Sequence, residues 1–320
     1  MSEESGYNGS GGQSADTSDH SRASVENPTG FQRTWREFRA HPLAVAGLAV
    51  VSIVTIVGIV TFLDDALLEN ALIKSVYYSP FKPEFMPLQG PSMAHPFGTD
   101  TLGRDVLART IYGAKVSIQV ALTAVLVAAA IGSPLGVIAG YMGGYVETIV
   151  MRTVDVILGF PALVLAIGLV AALGFNLTNV IIALGIVYVP QFARIARSTA
   201  LSVSNEEYVD AAKALGYSRP HIVFREVLPN CISPLLVQAS LLMAFAIIAE
   251  ASLSFLGLGV QPPTPTWGQM VSDGSGYLTS APWISLFPGA AIFGTVLGFN
   301  LIGDGLRDAL DPRESAERRF

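Results

Sequence analysis

The chain has 320 residues, a net charge of −6, and 51% hydrophobic against 14% charged residues, with a mean hydropathy of +0.50. Soluble domains carry about 25% charged residues, so this composition excludes an ordinary soluble enzyme or binding module and points to a polytopic membrane protein. The acidic balance and lack of basic patches argue against a nucleic-acid partner, and one cysteine (Cys231) with four scattered histidines gives no disulfide and no metal-ligand spacing.

In chain order, residues 1–30 are rich in Ser, Gly, Asp and Glu and are expected to form a disordered acidic tail. Phe31–Arg39 is basic and aromatic (Arg33, Trp35, Arg36, Arg39), which suits a membrane interface. Leu43–Leu63 follows without a charge, and at about 1.5 Å per residue it can cross a hydrocarbon core about 30 Å thick. This run starts well inside the chain and lacks a small-residue cleavage site, so it reads as an anchor, not a signal peptide. Residues 64–115 contain Pro80, Pro83, Pro87, Pro91 and Pro96 and predict an irregular loop with an entry helix at its end. That end is His95-Pro-Phe-Gly98-Thr-Asp100-Thr-Leu-Gly103-Arg104-Asp105-Val-Leu-Ala-Arg109. Its glycines lack the GxxxxGK[ST] arrangement and follow no predicted strand, so a phosphate-binding loop is rejected. His95 and His221 are read as surface residues.

Residues 116–313 hold five further spans. The second, Val116–Ala139, is interrupted by Gly132, Pro134 and Gly136, and breaks of that kind survive only against protein or a cavity. Gly140–Tyr145 predicts a tight turn. The third, Val154–Leu173, contains Phe160-Pro161, with Pro161 read as a kink and Asp155 as the partner of Arg152 at the membrane edge. The fourth is Val180–Ala196 and the fifth Ile232–Leu256, with Glu250 inside it. Gly257–Trp283 reads as a Pro/Gly-rich loop, Ile284–Ile302 as the sixth span, and Gly303–Arg313 as a short charged end before the tail 314–320. The fold class is therefore all-α and polytopic, with six transmembrane helices. An ionisable group within a span is by default a functional hypothesis. Glu250 reads as a structural or gating group ahead of a proton relay, and Asp155 and Pro161 join it as translocation or gating candidates.

Residues 204–230 are the polar interruption of this core: SNEEYVDAAKALGYSRPHIVFREVLPN. Ser204 and Glu207 have the spacing of a capping box that starts a helix through Tyr208, Ala211 and Ala212. Gly216 fits the left-handed residue that ends it. Ser218 would cap a second helix, Pro220 would sit in its first turn, and Leu228-Pro229 would stop it. The small Ala211 and Ala212 would let another surface approach the backbone.

Asp210-Ala211-Ala212, Gly216 and Leu228-Pro229 resemble the EAA loop of ABC-importer membrane subunits, with aspartate in place of the usual glutamate. His95–Arg109 resembles the HPxGTDxxGRDxxSR signature of the dipeptide, oligopeptide and nickel branch of those permeases, with Ala108 where serine is usual. The segments around Glu250 and Gly303–Arg313 resemble further signatures of the same branch. The resemblance implies a type I importer transmembrane domain whose loop forms coupling helices against a cytosolic ATPase. Glu207, Tyr208, Asp210, Ala211, Ala212 and Gly216 are then the coupling residues. It also implies a second homologous permease subunit, two cytosolic ATP-binding subunits that bind ATP and Mg, and an extracellular substrate-binding protein. No cofactor and no catalytic residue are expected on this chain, whose other surroundings are membrane lipid.

Arginine and lysine set the orientation. With the N-terminus inside, residues 204–230 and the C-terminus are cytoplasmic, and the loops after spans three and five, which lack both residue types, are outside. The implied function is ATP-driven import of dipeptides or oligopeptides across the plasma membrane by alternating access. Import of nickel or another small solute, an ion-coupled secondary transporter, and a loop helix that merely lies on the membrane surface are the alternatives.

Overall fold

The computed structural model describes residues 30–68, 71 and 78–310. The expected tail 314–320, and the expected tail 1–30 apart from residue 30, lie outside the described residues. All regular structure among them is helical: α1 (Gly30–Ala40), α2 (Pro42–Leu68), α3 (Val106–Met142), α4 (Gly144–Leu158), α5 (Ala162–Leu173), α6 (Leu177–Val203), α7 (Glu207–Ala214), α8 (Arg219–Ile222), α9 (Leu228–Phe255), α10 (Trp267–Gly274) and α11 (Trp283–Leu310). Among the described residues, five helical segments are long and apolar enough to cross a membrane, or six when α4 and α5 count as one broken span. The expected class holds.

The third span differs from a kinked helix. Gly159 to Pro161 separate α4 from α5, and the two axes diverge by 88°. Pro161 is the residue before α5, with φ −56° and ψ 126°; its missing N–H and fixed φ suit a helix start, and its ψ is non-helical, so α4 does not run on into α5.

The second span is not interrupted. Gly132, Pro134 and Gly136 all lie within the continuous α3. Their meaning is packing: a Cβ on Gly132, Gly136 or Gly140 would collide with the backbone oxygens of Val189, Ala193 and Arg197 on α6. Four-residue spacing stacks these glycines on one face, and close backbone approach by small residues is how membrane helices associate without a hydrophobic drive. α3 and α6 thus form the spine, with Ala124, Ala128, Leu184 and Phe192 fully buried between them and α9. Gly140–Tyr145 is correspondingly shorter as a turn, because α3 runs on to Met142.

Elements extend further than the apolar runs do. α1 docks through buried Phe38 onto Ala44 and Ala309, with Trp35 stacked on Phe38 and Arg39 over the Trp35 ring. Gly303–Leu310, expected as a charged end, continues α11. The expected loop 257–283 contains α10, started by Thr266, whose hydroxyl accepts from the Gln269 N–H. α10 anchors itself through Trp267, 2% exposed, which donates its indole N–H to the Thr110 carbonyl at 2.8 Å beside Gly113.

Candidate functional site

The polar stretch 204–230 folds as a knob at the end of α6. Ser204 does not cap α7; it closes α6, its hydroxyl donating back to the Ala200 carbonyl at 2.6 Å. Glu206 is the residue before α7 and contributes no side-chain cap. α7 is instead held from its far end. Gly216, at φ +81°, lets its own N–H reach Lys213 O at 3.0 Å and the Tyr217 N–H reach Ala212 O at 3.2 Å, the paired bonds of a Schellman motif. Ser218 precedes α8 without a capping bond, and Pro220 sits in its first turn as expected.

Leu228-Pro229 does not stop the chain. α8 passes through one π-helical turn, Val223–Val227, directly into α9, with Pro229 in the first turn of α9. A proline ring clashes with the carbonyl four residues back, and the widened turn removes that constraint. The knob is therefore continuous with the fifth span.

One face of the knob is anchored. Val209, Ala212, Ile222, Val223 and Val227 bury against Val137 of α3 and Ala196 and Ala200 of α6. Ala212, 5% exposed, is packed against the bundle, so of the two alanines expected to let another surface approach, only Ala211 is open. Glu207, Tyr208, Asp210, Ala211 and Gly216 are exposed. Asp210 is met by Lys213 Nζ at 2.9 Å, and the Tyr208 hydroxyl accepts from Asn230 Nδ2 at 3.1 Å. Partial burial, then Glu206 and Glu226, raise the Tyr208 phenol, so it stays neutral. Sequence reading missed part of this face: Leu215 (74% exposed), Phe224 (60%) and Tyr217 also stand open. Their signal was three large apolar residues in the one polar stretch of the core.

The remaining candidates are not gathered into one constellation. Asp155 pairs with Arg194 of α6 at 2.8 Å, not with Arg152, and Arg197 donates through Nε to Glu147 at 2.7 Å. These two pairs tie α4 to the knob end of α6 around a cleft of about 550 Å³ that Arg152 also lines. Glu250 lies deep in α9 at 1% exposure, accepting from the Ser254 hydroxyl at 2.7 Å, with the Ser117 hydroxyl of α3 3.5 Å away. Pro161 marks the α4–α5 break.

At the end opposite the knob, His95–Arg109, expected as the end of an irregular loop leading into an entry helix, forms a buried polar knot. His95 is not a surface residue: it is 5% exposed, with Nδ1 2.9 Å from Asp105 Oδ2. Asp105 also caps α3 by accepting from the Ala108 N–H. Asp100 accepts from Arg104 Nε at 2.6 Å and lies 3.5 Å from Arg109 Nε, while Arg109 also donates to the Pro80 carbonyl. Asp273 of α10 stands 3.8 Å from Arg104; burial raises its carboxyl, with Arg109 and Arg104 pulling the other way. Buried charges are tolerable only when paired in this way. The knot fastens residues 79–105 and α10 to the start of α3, with Trp283 donating to the Thr99 carbonyl at 3.1 Å.

Residues 132–316 match the family described as binding-protein-dependent transport system inner membrane component, and residues 29–71 match the N-terminal TM domain of oligopeptide transport permease C. The dipeptide transport system permease protein of Alkalihalophilus pseudofirmus is 44% identical over 88% of this chain and 90% of its own length. The corresponding dipeptide permease of Escherichia coli is 46% identical over 89% and 94%. The glutathione transport system permease of Salmonella typhimurium is 42% identical over 90% and 94%. Among solved structures, the inward-facing MetNI methionine ABC transporter superimposes with a TM-score of 0.53 at 18% identity, over 64% of this chain and 97% of that one, a likeness of fold. With helices, break and signatures all in place, the chain belongs to the membrane permeases of binding-protein-dependent ABC importers, in the branch of dipeptide and oligopeptide transport permeases.

Proposed function

We propose that this chain is one of two permease subunits of an ATP-driven importer that moves dipeptides or oligopeptides across the plasma membrane by alternating access. The observation that carries the reading is the knob: a short helix anchored on one face in the bundle and open on the other, where Glu207, Tyr208, Asp210, Ala211, Leu215 and Phe224 offer a mixed acidic and apolar surface. Exposed apolar residues rimmed by charge mark interaction sites. The partner of that surface is a cytosolic ATP-binding subunit, which binds ATP and Mg; this chain itself is not the enzyme. A second homologous permease and an extracellular substrate-binding protein complete the complex. The excess of Arg and Lys at the knob end and near both termini supports a cytoplasmic knob and cytoplasmic termini. Relatives named for dipeptides and for glutathione favour short peptides over nickel.

Mild-detergent purification of the chain from its native membranes, with identification of what accompanies it, tests the reading. An ATP-binding subunit and a second permease are expected. Recovery of the chain alone or as a homo-oligomer would remove the knob's proposed partner.

A further inference from the structure

A cavity of about 380 Å³ lies between the start of α5, the middle of α6 and the second half of α9. Small-molecule sites span roughly 300–1,000 Å³, so one short solute fits. The wall is mainly apolar, with Leu163, Leu184, Val187, Phe245 and Ile248, and no charged side chain lines it. Three polar residues break that wall: Tyr188 and Gln191, one turn apart on α6, and Ser252 on α9.

Their hydrogen bonding is incomplete in a specific way. Ser252 is satisfied by the Ile248 carbonyl at 2.7 Å. Gln191 Oε1 accepts from Gln238 Nε2 of α9 at 3.0 Å, which leaves the Gln191 NH₂ without a partner among the described residues. Tyr188 is only 4% exposed; its hydroxyl is not fully enclosed, lies on a residue that lines the cavity, and forms no hydrogen bond with another described residue. Polar groups at the wall of a cavity within a membrane span are ordinarily paired with protein, water or a ligand. An unpaired phenol and an unpaired amide on the same face of one helix, at the wall of a cavity, call for a ligand that brings its own hydrogen-bonding groups.

We propose that this cavity binds the backbone of a peptide in transit. The Gln191 NH₂ donates to a peptide carbonyl. The Tyr188 hydroxyl, able to donate or accept, pairs with the neighbouring peptide group, and the apolar wall takes side chains without selecting among them. Gln238 acts as a positioning residue that fixes the Gln191 carboxamide. The absence of lining charge suits neutral amides and offers nothing to a metal cation. The inference rests on the peptide-importer reading and adds the site to it.

The test uses the whole importer, purified with its partner subunits and reconstituted in proteoliposomes, with peptide-loaded binding protein at saturation so that delivery affinity drops out. Tyr188→Phe and Gln191→Leu should each lower maximal uptake about three- to tenfold, the size of one lost hydrogen bond, at unchanged complex yield. On the wild-type importer, a diazirine-bearing tripeptide irradiated during turnover should label α6 around 184–191 or α9 around 245–252. That arm decides even if a variant fails to assemble. A wild-type importer that moves no peptide would overturn the peptide reading and the site together. Normal peptide uptake by both variants, or labelling confined to other helices, would overturn the site alone.

Discussion

Replacing Gly216 with valine isolates what the knob contributes, because the structure removes the competing explanations. At φ +81° the residue is left-handed, which costs an L-residue about 1–2 kcal/mol and is worse still for a β-branched side chain. No atom lies within 4 Å of an added Cβ, so the cost begins in the backbone conformation and not in a collision at that carbon. The strain falls on the two bonds that close α7, from Gly216 to Lys213 and from Tyr217 to Ala212. With 8 residues, α7 cannot persist on helix propensity alone, and about 1–2 kcal/mol is a factor of about 5–30 in a two-state population. The anchor through Val209, Ile222 and Val227 is untouched, so insertion and assembly should survive. In reconstituted importer, Gly216→Val should lower uptake by about that factor while ATP hydrolysis persists, uncoupled from it. Gly216→Asn, which tolerates the left-handed region, should lose least, and Gly216→Ala should fall between. Wild-type uptake in the valine variant, or equal losses in asparagine and valine variants, would refute the argument from φ.

The two neighbouring alanines should separate. Ala211→Leu, on the open face, should leave complex stability unchanged but weaken recovery of the ATP-binding subunit in a pull-down. Ala212→Leu overfills the anchored face and should cost about 1–3 kcal/mol, seen as a lower Tm of the purified chain. Asp100→Ala leaves Arg104 and Arg109 buried without their carboxylate and should cost about 3–5 kcal/mol in the same assay. Gly136→Ile drives a branched side chain into the Ala193 backbone and should prevent stable accumulation of the chain in membranes, whereas Leu135→Ile beside it should accumulate normally.

Span centres were legible because a long uncharged run has few alternatives to a membrane helix. Their ends were not, since α3, α6 and α11 each continue past the apolar run, held by contacts that sequence does not display. Glycine and proline were read by the same rule at two places with opposite outcomes. At 132–136 they allow helix contact without a break, while at 159–161 they coincide with an 88° turn. What differs is the neighbour: α6 backbone fills the space at the first. Capping signals behaved likewise. Ser204 and Glu207 match the capping pattern, but α6 had already claimed the serine hydroxyl. Thr266 and Gln269 match it equally well inside a presumed loop, and there the cap forms. The Gly216 turn was legible because its conformation depends on one residue. The Asp155–Arg194 pair joins residues 39 apart, and the His95–Asp105 and Asp100–Arg104 pairs, though close in sequence, form only because the irregular chain 95–105 folds back on itself, so no helical or strand period announces any of them.

Glu250 separates a structural acid from a transported proton. Its carboxylate accepts one hydrogen bond from Ser254, one turn along α9, and approaches Ser117 on α3, so its oxygens join two helices through two hydroxyls. A carboxamide of the same shape can do this work, its oxygen accepting from Ser254 and its NH₂ reaching the Ser117 oxygen. If the role is structural or gating, Glu250→Gln should assemble and keep most of its uptake. Glu250→Ala should lose about 2–4 kcal/mol of stability, because it opens a hole and strands both hydroxyls. A proton relay predicts the reverse ordering of effects on transport, since glutamine cannot exchange the proton however well it packs. Assembly at wild-type yield with uptake abolished in Glu250→Gln would therefore overturn the structural assignment. The two hydroxyl contacts would then have to be read as the setting that holds a titrating acid.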